Sequence, residues 1–173
     1  MAYKDELTKA MELLSENEKT IFLGQSVACS GNAIYKTLEK VPVTKRIELP
    51  IIEDTQMGMS IGLSFEGFIP ISIFPRMDFL ILATNQLVNH LDKIKEMSNN
   101  HFNPKVIIRT SIGATRPLYP GVQHCSDYTE ALKLILKNEI NFLQSEMIIN
   151  WRHFLQAHYL FQKLTAIFLS HWD

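Results

Sequence analysis

The chain has 173 residues, 46% of them hydrophobic, which is enough to bury the core of one domain of ordinary size. Its 17 Lys and Arg residues against 18 Asp and Glu residues leave a net charge of -1. Without a dense basic block, this composition argues against nucleic acid or a membrane surface as a partner. Cys29 and Cys125 stand far apart, and the acidic N-terminus does not read as a secretion signal, so we expect a cytoplasmic protein.

The pattern of apolar residues predicts alternating helices and strands. Residues 3–17 have apolar positions at helical spacing, and a short apolar strand follows at residues 20–25. Five more strands are predicted, at residues 45–49, 68–74, 105–110, 140–144 and 165–170. Further helices are predicted to begin near Asp54, Asp78, Ser126 and Ser145. This alternation predicts an α/β fold with a doubly wound, mainly parallel sheet and helices on both of its faces.

The residues between these elements limit the possible sites. Residues 111–127 form a long irregular stretch with two Gly and two Pro residues, and such loops are usually functional or disordered. A Gly-rich phosphate loop with the Lys-Ser/Thr ending or the dinucleotide spacing is missing from the sequence. His153 and His158 are five residues apart on a predicted helix and therefore on different faces, so we expect no metal site.

Glu53 stands where a predicted strand ends and a helix begins. An acid at this point is stabilised by the unpaired amides and the positive dipole end of the first helical turn, which is an ordinary structural role. The same junction lies at the rim of a parallel sheet, where α/β proteins bind ligands. Patterning alone favours the structural role.

Six short motifs follow one another without a gap from Leu49 to Asn100. They are Pro-x-x-Glu, a Gly-rich helix, Gly-x-x-Pro, Met-Asp-Phe, Asn-Gln-x-x-Asn and Met-Ser, and the segments "PKVIIRTSIGA" and "GVQHCSD" come after them. This series resembles the pyrimidine-binding domain of transketolase-like, thiamine-diphosphate-dependent enzymes. In particular it resembles the N-terminal half of the beta subunit of 2-oxoacid dehydrogenases of the pyruvate dehydrogenase type. Weaker similarity extends over "TIFLGQSVA" and the last helix and strand, so nearly the whole chain is covered.

The resemblance implies roles for three residues. Glu53 corresponds to the glutamate that hydrogen-bonds the pyrimidine ring of thiamine diphosphate and promotes loss of the thiazolium proton, so it is expected to be both catalytic and cofactor-binding. Phe79 corresponds to an aromatic residue that packs near the pyrimidine, and a core phenylalanine is the alternative. His124 corresponds to a catalytic histidine of the beta subunits, and a solvated loop histidine is the alternative.

The departures from the family pattern bear on the partners. Gln25 replaces an acid thought to relay protons between paired active sites, and Asn99 and Asn100 replace two common glycines. The Gly-Asp-Gly motif with a following Asn, which holds the metal and the diphosphate in such enzymes, is missing. The resemblance therefore implies that a diphosphate-binding alpha-type subunit holds Mg²⁺ and shares the thiamine diphosphate, in a homodimer or heterotetramer. Gly58 and Gly62, four residues apart, are expected either at a subunit contact or at a helix contact within the domain.

We therefore expect residues 1–173 to form a single pyrimidine-binding domain, without a diphosphate-binding domain or the C-terminal domain of beta subunits. The expected function is that of a beta-type subunit of a 2-oxoacid dehydrogenase decarboxylase, active only with its partner. Two alternatives remain open: a subunit of a split transketolase-like enzyme, and a degenerate, non-catalytic interaction module. The presence of Glu53 argues against the module, and Gln25 argues for it.

Overall fold

The computed structural model describes residues 3–116, 119–137, 140–144 and 165–171. In these residues six strands form one sheet in the order β2-β1-β3-β4-β6-β5, and every neighbouring pair is parallel. The strands are β1 (Thr20–Gly24), β2 (Arg46–Glu48), β3 (Ile69–Ile73), β4 (Ile107–Ile112), β5 (Ile140–Gln144) and β6 (Thr165–His171). All six predicted strands are present, with ends within two residues of the prediction.

Six α-helices connect or flank these strands in the part of the chain that is described. They are α1 (Tyr3–Ser15), α2 (Ala33–Thr37), α3 (Glu53–Phe65), α4 (Met77–Leu80), α5 (Ile94–Met97) and α6 (Thr129–Ile135). Between α4 and α5 the chain forms a 3-10 turn (Ile81–Ala83) and a π-helical segment (Gln86–Leu91). None of the helices described is long and apolar enough to cross a bilayer.

The helix starts agree with the sequence to different degrees. Those predicted near Asp54 and Asp78 are displaced by one residue, and the helix predicted near Ser145 lies outside the described residues. The helix predicted near Ser126 begins at Thr129, because the Asp127 carboxylate accepts a hydrogen bond from the Thr129 N–H at 2.9 Å and holds a turn there. Helix α2 was not predicted, since it has only five residues.

Two separate cores pack against the sheet. One contains Leu7, Met11 and Leu14 of α1 with Phe22 and Ile71 of the strands. The other contains residues of α3, of the segment from α4 to the π-helix and of α6, namely Met57, Ile61, Leu80, Leu87 and Leu132, together with Ile108 and Ile167. Ile107 belongs to the first core and its neighbour Ile108 to the second, as expected for a strand whose successive side chains point to opposite faces. Helices cover both faces, so the predicted doubly wound α/β fold is confirmed.

The chain changes direction across the sheet between β1 and β3. From β1 the chain passes through α2 to β2 on one side, whereas from β3 it passes to β4 on the other side. In parallel α/β sheets, ligands bind in the crevice beyond the carboxyl ends of the two strands at such a switch point. Gly24 ends β1 with a φ of +146°, and a methyl group added to it would collide with the carbonyl oxygen of Ile73 at the end of β3. The two strand ends therefore meet closely at this point.

Candidate functional site

Glu53 is the first residue of α3 and is half-buried. Because α3 leads from the end of β2 to the start of β3, its N-terminus lies at the carboxyl edge of the sheet. The residue before it, Ile52, provides no side-chain cap, and the Glu53 carboxylate makes no hydrogen bond to the other described residues. The position suits a helix-start charge and equally suits a carboxylate at the rim of the switch point.

Phe79 and His124 come together although they are far apart in the sequence. Phe79 lies in α4, directly after β3, and His124 ends a 3-10 turn (Val122–His124) in the long loop after β4. Their rings meet edge to face, with centroids 5.6 Å apart and planes at 84°. The two predicted residues thus form one cluster at the carboxyl edge of the sheet, while Glu53 stands on a separate element.

The surroundings of Phe79 and His124 differ from those of a core phenylalanine and of a solvated loop histidine. Phe79 is half-buried and is not a member of either core, so it is not a core phenylalanine. His124 is also half-buried, and its Nδ1 atom is buried without a hydrogen bond to the described residues. It is therefore not a freely solvated loop histidine. A methyl group added to Gly113, just after β4, would collide with the His124 carbonyl oxygen, so this glycine allows the loop to lie against the strand end.

The loop that follows β1 carries Gln25 and is held from the neighbouring strand. The Glu48 carboxylate, at the end of β2, accepts hydrogen bonds from the N–H groups of Ser26 and Ala28, both at 2.6 Å. The Leu49 N–H donates to the Gly24 carbonyl oxygen at 3.0 Å. These bonds fix half-buried Gln25 directly above the end of β1, beside the switch point.

Three further polar residues of the site were not found from the sequence. Glu48 carries the bonds just described, and buried Gln56 of α3 bonds to the end of β3. Asp78 precedes Phe79, and its Oδ2 atom is buried without a hydrogen bond to the described residues. The only available signals were a glutamine on the inward face of α3, three residues after Glu53, and the position of Asp78 inside the Met-Asp-Phe motif.

The residues at this edge fit one end of thiamine diphosphate. A carboxylate can share a proton with a ring nitrogen of the pyrimidine, and the face of Phe79 can pack against a planar ring. Among the described residues no group of three or more His, Cys, Asp or Glu side chains could hold a metal ion. His153 and His158 lie outside the described residues.

Gly58 and Gly62 do not mediate a close helix contact within the described part of the domain. A methyl group added to Gly62 would meet no atom within 4 Å, and one added to Gly58 would meet only the end of the Gln86 side chain, at 3.8 Å. Gly62 therefore takes no part in helix packing inside the described part of the domain, whereas Gly58 faces the neighbouring π-helical segment at an ordinary contact distance. The open position of Gly62 shares its helix with the exposed apolar side chains of Met59 and Phe65.

A groove of about 750 Å³ lies at the opposite, amino edge of the sheet. Its lining includes Lys19 before β1, Phe68 before β3 and Lys105 before β4. None of the residues predicted for the site lines it.

Comparison with known proteins gives homologues and a shared fold. No family model matches the chain. The chain is 32% identical over 124 residues to the pyruvate dehydrogenase E1 component subunit beta of Gracilaria tenuistipitata var. liui, which covers 69% of this chain and 38% of that protein. It is 26% identical over 143 residues to the 2-oxoisovalerate dehydrogenase subunit beta of Bacillus subtilis (strain 168), covering 80% of this chain and 42% of that protein. The chain thus spans about two fifths of the length of these curated relatives.

Among solved structures, the fold matches a split gene transketolase described as an inactive beta4 tetramer. The TM-score is 0.67 with 17% sequence identity, and the match covers 98% of this chain and 50% of that chain. At this identity the match concerns the fold alone. The chain is therefore a homologue of the beta subunits of 2-oxoacid dehydrogenases and has a transketolase-like, pyrimidine-binding-domain fold, as its motifs predicted.

Proposed function

We propose that this chain is the pyrimidine-binding, beta-type subunit of a thiamine-diphosphate-dependent 2-oxoacid dehydrogenase decarboxylase. The observation that carries the proposal is the position of Glu53 at the start of α3, at the carboxyl edge of the sheet beside the switch point. There the family motif and the ligand-binding edge of the fold coincide. Homology to the beta subunits of two different 2-oxoacid dehydrogenases supports this reaction class.

Each site residue has one role in this proposal. When bound, thiamine diphosphate supplies the thiazolium carbon at which a 2-oxoacid loses carbon dioxide. The Glu53 carboxylate shares a proton with a pyrimidine nitrogen and so helps to remove the proton of that carbon. The Phe79 ring packs against the pyrimidine and orients it, and His124, held edge to face against Phe79, serves the substrate side of the site.

The proposed complex is completed by a diphosphate-binding, alpha-type subunit. That subunit would hold Mg²⁺ and the diphosphate, because this sequence has no Gly-Asp-Gly motif. The outward face of α3 around Gly58 and Gly62 is the proposed contact surface in a homodimer or heterotetramer, since backbone can approach closely there. We propose the cytoplasm as the location, in keeping with two free cysteines.

A split transketolase-like enzyme is the second candidate, and the match to a split gene transketolase over 98% of this chain favours it. Supplying the reconstituted complex with labelled 2-oxoacids and, separately, with ketose phosphates distinguishes the two reactions. Release of carbon dioxide from pyruvate or 2-oxoisovalerate supports the decarboxylase. Transfer of a two-carbon unit between sugars, without carbon dioxide release, supports the transketolase.

The decisive test of catalysis is Glu53→Gln in the complex with the partner subunit, Mg²⁺ and thiamine diphosphate. We expect hydrogen–deuterium exchange at the thiazolium carbon, followed by NMR, to slow by about 10²–10⁴-fold, because the amide cannot accept the proton. Asp54→Asn is the matched control: it removes the next acid of the same helical turn, whose carboxylate only accepts a 3.3 Å hydrogen bond from Gln86. Both variants should lose about 0.3–1 kcal/mol of helix-start stabilisation.

Equal exchange rates in the wild type and in Glu53→Gln would make Glu53 only a helix-start charge. The non-catalytic interaction module would then be the better description, in agreement with Gln25.

A further inference from the structure

Gln56 is a buried polar side chain on the inward face of α3, one helical turn after Glu53. It is 2% exposed. Its Nε2 atom donates to the Ser72 Oγ atom at 3.0 Å and to the Ile73 carbonyl oxygen at 3.1 Å, so both amide hydrogens are used. A buried amide is costly unless it is hydrogen-bonded, and these two bonds meet that requirement.

The two acceptors lie at the last two positions of β3, beside the end of β1. A methyl group added to Gly24 would lie 3.1 Å from Gln56 Nε2, so the amide occupies the space that this glycine leaves open. The Gln56 side chain therefore spans the crevice between the ends of β1 and β3, directly below the first turn of α3. It links the helix that carries Glu53 to the strand ends at the switch point.

Among the described residues, the other side-chain hydrogen bond to the first turn of α3 from outside the helix is a long one, from Gln86 to Asp54 at 3.3 Å. Ile52 provides no side-chain cap, and the first helical hydrogen bond is that from the Gln56 N–H to the Ile52 carbonyl oxygen, at 2.8 Å. We infer that Gln56 is a positioning residue, whose bonds to β3 hold the first turn of α3 in the place where the Glu53 carboxylate meets the pyrimidine. This inference rests on the proposed function of Glu53, and it assigns to Gln56 no contact with the cofactor.

The test in the complex uses Gln56→Leu, which keeps the bulk of the side chain and removes both bonds. We expect exchange at the thiazolium carbon to slow by about 10²-fold, the typical effect of misplacing a catalytic group by about 1 Å. The double variant Glu53→Gln/Gln56→Leu should be no slower than Glu53→Gln alone, because Gln56 acts through Glu53.

A second readout needs neither cofactor nor partner. In the isolated chain, Gln56→Leu should increase backbone hydrogen exchange in the first turn of α3, measured by mass spectrometry, while the rest of the sheet keeps its protection. Ser60→Ala is the matched control, because buried Ser60 lies one turn further along and its Oγ atom donates within the helix to the Gln56 carbonyl oxygen at 2.9 Å. It should leave both the first-turn protection and the thiazolium exchange unchanged.

Ser72→Ala replaces Gln56→Leu if the latter does not fold, since it removes one acceptor of the amide and leaves the sequence of α3 intact. The inference would be overturned if these variants exchanged the thiazolium proton at the wild-type rate. It would also be overturned if the effects of Glu53→Gln and Gln56→Leu were additive in the double variant. A Glu53→Gln variant with undiminished exchange is a different result, because it overturns the proposed function itself.

Discussion

Among the described residues, the two edges of the sheet differ in the residues that line them and in how closely the backbone packs. The amino edge has the groove of about 750 Å³, lined by Lys19, Phe68 and Lys105 among others. At two points of the carboxyl edge the packing is close: Gly24 and Gly113 each lie against a backbone carbonyl where a larger residue would not fit. Yet Glu53, Phe79 and His124 all lie at the carboxyl edge.

The groove and the proposed site thus lie at opposite edges, so the groove is not a guide to the proposed site. In the proposed complex, the partner subunit would complete the cavity at the carboxyl edge. The amino-edge groove is large because three strand starts and the ends of α1 and α3 leave it unfilled. The catalytic groups proposed here need fixed positions at the carboxyl edge more than they need an enclosed volume.

The largest expected effect concerns cofactor binding. The isolated chain with Mg²⁺ should bind thiamine diphosphate far more weakly than the complex does, because in the proposed site Glu53 and Phe79 contact only the pyrimidine. Isothermal titration calorimetry on both preparations measures the difference. The opposite result would be tight binding to the isolated chain that persists in Glu53→Gln and is lost in the double variant Lys19→Ala/Lys105→Ala. That result would place the cofactor site in the amino-edge groove.

An intermediate effect is expected at the closely packed edge. Gly113→Ala should lower the free energy of unfolding by about 1–3 kcal/mol, because the new methyl group forces the His124 backbone away from the end of β4. Urea unfolding of the isolated chain measures this loss. The NMR signals of the His124 ring should also change in this variant, and unchanged stability would show that the loop does not lie against β4.

The smallest effect is expected at the open face of α3. Gly62→Ala should raise the free energy of unfolding of the isolated chain by about 0.5–1 kcal/mol, since alanine favours the helix and nothing lies within 4 Å of the new methyl group. The same urea titration measures this change in the free energy of unfolding. Gly62→Ala and Gly113→Ala therefore serve as controls for each other. If Gly62→Ala also weakens association of the complex, measured by analytical ultracentrifugation, this supports the proposed subunit contact. If Gly62→Ala destabilises the isolated chain, this contradicts the open position of Gly62.

Most of the sheet could be predicted from the sequence because parallel strands buried on both faces are short, almost continuous apolar runs. The strand Ile69–Ile73 is an example, buried at every position. The π-helical segment Gln86–Leu91 could not be predicted, because its hydrogen-bond pattern depends on how the helix packs rather than on apolar spacing. Helix α2 could not be predicted for another reason. It is short and depends on a cap from Asn32, whose side chain accepts a hydrogen bond from the Tyr35 N–H at 2.7 Å.

The candidate site likewise has features that could be predicted from the sequence and features that could not. The roles expected of Glu53, Phe79 and His124 followed from a series of motifs, and the place of Glu53 at the rim of the sheet followed from the order of strands and helices. The bonds of Gln56 and Glu48 join residues 16 or more positions apart, so that no local pattern contains them. Tertiary contacts of this kind become visible only when the strand order is known.

The hydrogen bonds accepted by Glu48 have a consequence for anion selectivity. In dinucleotide-binding domains the first strand-to-helix turn offers its free amides to a phosphate group. Here the amides of Ser26 and Ala28 are already bound to a carboxylate from the same chain. A phosphate entering this turn would have to displace Glu48 and would meet its negative charge. The turn after β1 thus spends two of its amides on a carboxylate of its own chain and not on a phosphate group.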